Sequence, residues 1–365
     1  MIDEPGPWGT GPFVLKEGAS ILDKRSPTLT LEPNANYWNK ARIPKATFVF
    51  DNVISKAEAL EEVAKGGKID IVTELSPAEA MAMKKSSKAK VVESKSKTLL
   101  VGVLNRNVAN SKWSDLKLRQ ALNMAVDRAA VVKEGAMGYG TVMASMIMPG
   151  QFGYEAGLKP YAYDAAAAGK ALAAGGVKSV TVVAGVGYKG VVEAMTKSLA
   201  KAGVKVVADY SGAPKGDNWD VWLVEHFDWS PEYPYGVVFR EFFGKDGGFR
   251  KMPEDAAFDA MGKKLLAETD KPKLEKLTAQ MNRYIHDQAN VVFLYAPSKL
   301  YAVSNRVNFV PYKTWMLELA ETTVRLVTPP AASVLPAAAG SKAYGFSDAS
   351  WPNWPGMTID AMTVP

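Results

Sequence analysis

The chain offers few side chains that could carry out catalysis. It has no cysteine, and its only histidines, His226 and His286, fall on separate predicted elements. Disulfides and thiolate chemistry are therefore excluded, and two histidines are too few for a closed zinc site of His and Cys ligands. A serine triad would also have to recruit one of these imidazoles. We expect a protein without a catalytic residue or a cofactor, in which both histidines are structural.

One glycine motif is typical of dinucleotide binding. Gly185-Val186-Gly187-Tyr188-Lys189-Gly190 follows a predicted strand and opens a predicted helix, and Asp209 ends the next strand. In an NAD(P)-dependent oxidoreductase, such a turn rests the pyrophosphate on the helix N-terminus. The alternative is a tight turn in a plain β-α-β unit. We favour the turn because the motif lies in mid-chain and Tyr188 and Lys189 crowd the position that a phosphate must approach.

A second candidate site is aromatic and acidic. Just past the predicted strand that ends near His226, the chain reads Trp229-Ser230-Pro231-Glu232-Tyr233-Pro234-Tyr235-Gly236. A strand end beside aromatic side chains and one carboxylate can pair with an extended peptide, cover its side chains and hold its terminal ammonium. The alternative is a surface turn whose aromatic rings pack inward. The candidate ligand-binding residues are Trp229, Ser230, Glu232, Tyr233 and Tyr235.

Strands and helices alternate along much of the chain. The clearest unit has strands at 180–183 and 204–208 around a helix that includes residues 192–199. Earlier, an apolar stripe over 118–132 predicts one amphipathic helix. Strands that alternate with helices predict an α/β fold with partly parallel, mixed sheets covered on both faces.

Charge and apolar content narrow the choice of partners. The net charge of +6 is a mild excess, and the lysines of 84–90 are typical of a solvated helix end. Nucleic-acid binding is not expected, because basic residues interleaved with stacking aromatics on one face are not seen.

Four methionines, at 137, 143, 146 and 148, are expected to fill a core rather than to bind a soft metal. No stretch approaches the roughly 20 apolar residues that span a bilayer.

Short phrases in a fixed order along the chain carry a family resemblance. The phrases are Gly9-Thr10-Gly11-Pro12-Phe13, Asn34-Ala35-Asn36-Tyr37-Trp38, Gly67-Lys68-Ile69-Asp70-Ile71, Leu104-Asn105-Arg106-Asn107, Ser114 to Arg128, and Trp229 to Pro234. Together they resemble the family 5 solute-binding proteins that feed peptide, dipeptide and nickel ABC importers. In the fifth phrase we interpret Arg119 and Asp127-Arg128 as helix-surface ion pairs and hinge packing.

The resemblance implies a fold, a partner and a role for one residue. The implied fold is a two-lobe, periplasmic-binding-protein-like α/β fold of type II, cluster C. It closes over a short peptide or similar small solute without catalysis and then docks on an ABC permease, in the periplasm. Glu232 inherits the role of holding the amino terminus of the ligand. Glu stands where the family usually has Asp, Tyr235-Gly236 replaces a common Asp-Pro, and Pro231 lacks an amide donor.

The resemblance also predicts how the chain is divided. We expect residues 1–150 to form part of a first lobe leading into a hinge, 151–295 a second lobe, and 296–326 a return to the first. Residues 327–365, rich in Pro and Ala, are expected to form an arm. The first phrase begins at residue 9 but lies well inside other family members, so the resemblance implies an incomplete first lobe that a second polypeptide could complete. An alternative is a partner-binding structural subunit that docks through Trp351 to Trp354 and has a non-functional cleft.

Overall fold

The chain folds into two compact units. Unit 1 comprises Met1–Ser94 and Lys299–Pro365, and unit 2 comprises Lys95–Ser298. The computed structural model describes residues 9–21, 24–95, 98–227, 238–311, 319–325, 343–345 and 362–363. The predicted arm at 327–365 therefore falls largely outside the described residues.

Strands and helices alternate through most of the described chain. The strands are β1 (Phe13–Glu17), β2 (Ser20–Ile21), β3 (Lys24–Arg25), β4 (Thr28–Pro33), β5 (Phe48–Asp51), β6 (Ile69–Val72), β7 (Ala89–Ser94), β8 (Thr98–Leu104), β9 (Gly140–Val142), β10 (Ser179–Val183), β11 (Lys205–Asp209), β12 (Val221–Phe227), β13 (Val291–Pro297), β14 (Lys299–Ser304), β15 (Val307–Asn308), β16 (Thr323–Val324), β17 (Ala343–Gly345) and β18 (Met362–Thr363). The α-helices are α1 (Lys56–Lys65), α2 (Pro77–Met83), α3 (Leu116–Ala125), α4 (Arg128–Ala130), α5 (Ala165–Ala174), α6 (Lys189–Lys201), α7 (Val238–Phe243), α8 (Ala256–Ala267) and α9 (Lys271–Asp287).

Unit 1 is built on a mixed sheet with strand order β1-β4-β5-β17-β6-β14-β7, and β18 pairs with β5. Two short helices precede β6 and β7, and their ends follow from the sequence. Ser55 caps α1, and Gly66 ends it in the left-handed conformation at φ 74°, which a glycine adopts at little cost. Ser76 and Glu79 cap α2 reciprocally, each side chain accepting from the backbone amide of the other residue.

Unit 2 is built on a six-stranded sheet with the order β11-β10-β12-β8-β13-β9. β11, β10 and β12 run parallel, whereas β8 pairs antiparallel with both β12 and β13. The parallel strands follow from the β10-α6-β11 crossover, because a helical connection returns the chain in the same direction. The predicted mixed α/β sheet with a parallel part is confirmed.

Helices cover both faces of this sheet and form two hydrophobic cores. The first core contains α3, α5 and α6 residues such as Leu122, Leu172 and Met195. The second contains α7, α8 and α9 residues such as Phe258 and Met281. Because side chains alternate along a strand, β8 and β12 supply both cores and are buried on both sides.

The first boundary between the units differs from the predicted one at residue 150. The chain enters unit 2 at Lys95 because β8 is a central strand of the second sheet, paired on both sides. The stretch after β8 packs on the same sheet, since α3 lies in the first core. Local periodicity locates these elements but does not show which sheet they join.

The helix predicted over 118–132 is interrupted. α3 ends at Ala125, Val126 is extended, and Asp127 then caps α4 by accepting from the amide of Ala130. A π-helical turn follows at Val131–Gly135. The apolar stripe continues across the break because both pieces pack on the same face.

The interpretation of Arg119 and Arg128 as surface ion-pairing residues was wrong. Both are buried, at 2% and 4% exposure. Arg128 donates to the backbone carbonyls of Phe293 (2.6 Å), Asn123 (3.0 Å), Tyr161 (3.2 Å) and Val126 (3.3 Å). A guanidinium has five N–H donors, so it can satisfy several carbonyls where α3 ends. Burial lowers the pKa of both guanidinium groups.

The clustered methionines fill the core as predicted in three of four positions. Met143, Met146 and Met148 are buried in the second core, whereas Met137 is half exposed in a turn at φ 50°. In the part of the chain that the structure describes, no helix combines the length and the apolar character needed to cross a membrane.

Candidate functional site

The predicted ligand-binding residues lie in a segment that the structure does not describe. The described residues stop at Phe227 and resume at Val238, so Trp229, Ser230, Glu232, Tyr233 and Tyr235 lie outside them. The structure does describe the strand that leads into this segment, β12, and the helix that follows it, α7. β12 ends at one edge of the second sheet.

Several strands of unit 2 begin or end toward this edge of the sheet. β10 and β12 both run toward it because they are parallel, although β10 ends at Val183, opposite Trp222, and β12 continues to Phe227. β8 begins there and β13 ends there, since Thr98 pairs with Phe227 and β13 runs antiparallel to β8. We call this the carboxyl edge, after the ends of β10 and β12.

A topological switch point lies at the carboxyl edge between β10 and β12. The connection after β10 leads into α6, whose residues Val192 and Met195 lie in the first core. The connection after β12 leads into α7, whose residues Phe239 and Phe242 lie in the second core, on the opposite face. Where neighbouring parallel strands send their connections to opposite faces, a crevice forms that binds ligands in open α/β sheets. β12, the strand that precedes the predicted ligand-binding residues in the sequence, lies on one side of this switch point.

A side-chain contact joins the two strands at the switch point, from the turn after β10 to β12. The hydroxyl of Tyr188, in the turn after β10, donates a hydrogen bond to a carboxylate oxygen of Glu225 in β12. Both residues are half-buried. The ring of Tyr188 also packs against the first core. A half-buried carboxylate therefore lies at the switch point, hydrogen-bonded to a phenol from the turn after β10.

A second phenol, that of Tyr295, lies two strands away from the same carboxylate. Leu100 pairs with Glu225 on one side and with Tyr295 on the other, so the three residues form a row across three strands. Burial and then the negative charge of Glu225 raise the pKa of Tyr295. The hydroxyl of Tyr295 thus stays protonated at neutral pH, as a donor or acceptor but not as a charge.

The glycine motif at 185–190 forms a structural turn. Its β-α-β context is the predicted one, with β10 and β11 parallel. However, a Cβ on Gly190 would lie 2.9 Å from the carbonyl oxygen of Gly135, so this glycine is needed for close packing of α6 on a neighbouring turn. The Oδ1 atom of Asp209 accepts from the amide of Ser211. Tyr188 brings the Glu225 carboxylate to this turn, where it would repel a pyrophosphate.

Both histidines have packing roles in unit 2. His226 is buried, and its ring meets Phe242 and Phe249 edge-on. The ring of His286 stacks on Tyr161 at 4.7 Å, with its nitrogens beside Asp287 Oδ1 (2.9 Å) and the carbonyl of Lys159 (3.1 Å). Among the described residues, no group of three or more His, Asp or Glu side chains could hold a metal ion.

A family model covers most of this architecture. The model for bacterial extracellular solute-binding proteins, family 5 (middle region), matches residues 3–249. The chain belongs to this family. The match spans more than half of the chain, including β8, β10, β12 and the switch point between the latter two, and it confirms the family predicted from the short phrases.

Individual family 5 relatives are distant in sequence. Di/tripeptide-binding protein 1 of Pseudomonas aeruginosa (strain UCBPP-PA14) is 24% identical over 306 residues, which are 78% of this chain and 55% of the relative. Heme-binding protein A of Haemophilus influenzae is 26% identical over 303 residues, which are 78% of this chain and 53% of the relative. The chain thus spans about half the length of the curated relatives that it matches.

A solved structure shows the same fold. The ABC transporter substrate-binding protein CtaP of Listeria monocytogenes superposes with a TM-score of 0.74 at 16% identity, covering 87% of this chain and 67% of the other. At this identity the likeness establishes the fold alone. It confirms the predicted α/β fold of the type II periplasmic-binding-protein-like class.

Two residues at the family 5 switch point were not predicted from the sequence. Glu225 was given no role, and Tyr188 was interpreted as an obstacle to phosphate binding. The sequence does single out Glu225, because this acid directly follows four apolar residues, Val221-Trp222-Leu223-Val224. The partnership with Tyr188 depends on the parallel register of β10 and β12, which periodicity does not supply.

Proposed function

We propose that this chain binds a short peptide or a similar small solute at the carboxyl edge of unit 2 and catalyses no reaction. The observation that carries the proposal is the switch point between β10 and β12, because β12 is the strand that directly precedes the predicted ligand-binding residues in the sequence. Membership of a family of solute-binding proteins supports a binding role. The similarity to the di/tripeptide-binding protein of P. aeruginosa supports peptides as the solute.

The roles of the predicted ligand-binding residues are part of this proposal. Glu232 accepts hydrogen bonds from the ligand's terminal ammonium, a charge-assisted contact that is stronger than a neutral one. Trp229, Tyr233 and Tyr235 cover ligand side chains with their rings, and Ser230 pairs with the ligand backbone. Such a site takes peptides of varied sequence, since main-chain contacts do not depend on the side chains.

The partner and the location follow the same proposal. A loaded solute-binding protein of this kind delivers its ligand to the permease of an ABC importer, outside the cytoplasmic membrane. Stimulation of ATP hydrolysis by the reconstituted permease, in the presence of this chain and peptide together, is the readout for that partner.

Calorimetric titration tests the binding role. The chain is titrated with alanine di- and tripeptides, with hemin and NAD as competing candidates. We expect the peptides to bind and Glu232→Gln to weaken binding by roughly tenfold or more, because the ammonium loses a charged partner. Glu58→Gln, an exposed acid in α1 of unit 1, is the matched control and leaves the affinity unchanged.

Two results would contradict the proposal. If Glu232→Gln leaves the affinity for peptides unchanged, Glu232 does not belong to the binding site. If NAD binds saturably and no peptide binds, the chain is a dinucleotide-binding protein and not a peptide receptor, despite the carboxylate of Glu225 at the turn.

A further inference from the structure

Arg106 lies two residues after the end of β8, at the edge of the second sheet opposite to the carboxyl edge. Its backbone amide donates to the carbonyl of Lys251 at 2.7 Å. Its side chain donates from Nη1 to Oδ1 of Asn290 at 2.9 Å and contacts Sδ of Met252 at 3.5 Å. Arg106 therefore joins the end of β8 to the stretch at 251–252 and to the residue that precedes β13.

Two buried donors at this place have no hydrogen-bond partner among the described residues. They are Nε of Arg106 and Nδ2 of Asn290. Asn290 is only 4% exposed. Its Oδ1, on the same amide group as Nδ2, accepts from Arg106, so both donors lie beside one guanidinium. Buried N–H groups without an acceptor lose hydration and gain nothing in return, so these two donors point to a ligand that accepts hydrogen bonds.

The Nε side of a guanidinium is suited to a group with two oxygen atoms. Its Nε and Nη2 donors are parallel and match two oxygens of a carboxylate, phosphate or sulfate. Arg306 in unit 1 uses this side, since its Nε and Nη2 donate to the two carboxylate oxygens of Asp70. Both described side-chain hydrogen bonds of Arg106 start from Nη1 instead.

The charge of Arg106 is not neutralised by an ion pair within the described chain. Asp255 is the acid that acts on it, but the Asp255 carboxylate accepts from the hydroxyl of Tyr284 at 2.8 Å and from two backbone amides at the start of α8. A second guanidinium, that of Arg119, lies near enough for the two charges to repel. Burial, and then the charge of Arg106, lower the pKa of Arg119 to about 10. Two partly desolvated cations at one place attract an anion.

We propose that Arg106 and Asn290 form a binding site for a small inorganic oxyanion, phosphate or sulfate. Nε and Nη2 of Arg106 donate to oxygen atoms of the anion, and Nδ2 of Asn290 donates to another. The bound anion ties the end of β8, the stretch at 251–252 and the start of β13 together. The site is separate from the proposed peptide site, which lies at the other edge of the same sheet.

Burial and geometry select the size and shape of the anion. Asn290 is nearly enclosed, so a compact anion reaches its Nδ2 more easily than the end of a peptide does. A tetrahedral oxyanion offers oxygen atoms to the parallel donors of Arg106 and to Asn290 at the same time, whereas chloride is a single acceptor. Hydrogen bonds from an ionised donor to an anion are stronger than neutral ones, and a partly desolvated site screens them less than bulk water does.

Calorimetric titration of the full chain with sodium phosphate and with sodium sulfate tests the site, at an ionic strength held constant with sodium chloride. We expect saturable binding that Arg106→Gln weakens roughly tenfold or more, because the anion loses its charged partner. Arg106→Lys should restore little of the affinity, since an ammonium lacks the parallel donors. Asn290→Asp should also weaken binding, because it replaces a donor by a negative charge. Arg42→Gln, at an exposed arginine of unit 1, is the matched control and leaves the affinity unchanged.

Amide hydrogen exchange locates the bound anion. Saturating phosphate should slow exchange in 104–107 and 285–292 and leave 184–188, at the carboxyl edge, unchanged. Circular dichroism checks that each variant folds, and if Arg106→Gln does not, this exchange pattern in the wild type and in Arg106→Lys decides.

Two results would overturn the proposal. If neither anion binds saturably, buried water accepts from the two donors instead, and there is no anion site. If an anion binds but the variants of Arg106 and Asn290 keep the wild-type affinity, or exchange slows only elsewhere, these two residues do not form the site. Peptide binding bears on neither result, and Glu232→Gln should leave the affinity for phosphate unchanged.

Discussion

The hydroxyl of Tyr188 donates a hydrogen bond to the carboxylate of Glu225 and so joins the turn after β10 to the end of β12. These two strands send their following helices to opposite faces of the sheet. The bond therefore lies where the chain diverges and where an open α/β sheet presents a crevice. It also places an acid, Glu225, beside a turn whose sequence is typical of phosphate binding.

Removal of this hydroxyl should weaken the fold slightly. We expect Tyr188→Phe to lower the free energy of unfolding by about 1 kcal/mol, the usual net value of one partly buried hydrogen bond. Urea unfolding followed by circular dichroism measures the change. Tyr154→Phe, at an exposed tyrosine, is the control and should have no effect. An equal loss in both variants would show that the bond to Glu225 adds no stability.

The glycines of the 185–190 motif should respond differently to substitution. A Cβ at Gly190 meets the carbonyl oxygen of Gly135 at 2.9 Å, whereas a Cβ at Gly187 meets nothing within 4 Å. We expect Gly190→Ala to cost about 1–3 kcal/mol, the range for overpacking a close contact. Gly187→Ala should stay within about 0.5 kcal/mol of the wild type. Similar thermal shifts in the two variants would contradict the packing role of Gly190.

The buried Arg128 should be among the most sensitive positions of unit 2. Arg128→Met leaves several buried carbonyls without a donor, among them that of Phe293, and we expect a cost of about 3 kcal/mol or more. Chemical unfolding measures it. Arg42→Met is the control, because Arg42 is exposed and pairs with Glu321 at 3.1 Å on the surface. Arg128→Lys should keep little of the stability that Arg128→Met loses, since an ammonium lacks the planar fork of donors. A variant as stable as the control would mean that these hydrogen bonds contribute nothing net.

Acid should weaken unit 1 through Glu79. Desolvation is the largest influence and raises the pKa of Glu79, but hydrogen bonds from Lys56 and the amide of Ser76, with the charge of Lys56, lower it on balance. A carboxyl whose pKa is lower in the folded state stabilises the protein above its unfolded pKa, and this contribution is lost as pH falls through the folded value. The stability difference between wild type and Glu79→Gln should therefore be largest near neutral pH and shrink below the ordinary value of 4.5.

Urea unfolding of both proteins across this pH range gives the measurement. In a Lys56→Met background the difference should be smaller, because the largest favourable partner is gone. A difference that stays constant with pH would mean that the carboxylate charge of Glu79 does not stabilise the fold.

Local pattern predicted the elements around the site well. The sequence placed the β-α-β unit at 180–183, 192–199 and 204–208, and the structure has β10, α6 and β11 there. Apolar runs of strand length, a helical stripe and turn glycines lie within about 30 residues, so short-range periodicity is sufficient. The sequence around the 185–190 motif also favoured a plain turn over a dinucleotide site.

Long-range partnerships could not be predicted in this way. Arg119 and Arg128 looked like surface residues because a helical stripe assigns charged side chains to solvent. They are buried because the backbone carbonyls of Gln288 and Phe293, more than 160 positions away, accept hydrogen bonds from their guanidinium groups. The membership of β8 in the second sheet and the bond between Tyr188 and Glu225 likewise depend on strand order, which a periodic pattern does not fix.

The central claim is that a solute binds at the carboxyl edge of unit 2. Amide hydrogen exchange measured with and without a bound tripeptide tests this most directly. We predict slower exchange on binding in 184–188 and 225–238, at the carboxyl edge. The opposite edge, around 104–107 and 217–221, should be unchanged. Protection confined to that opposite edge, with no change in 184–188 or 225–238, would contradict the account.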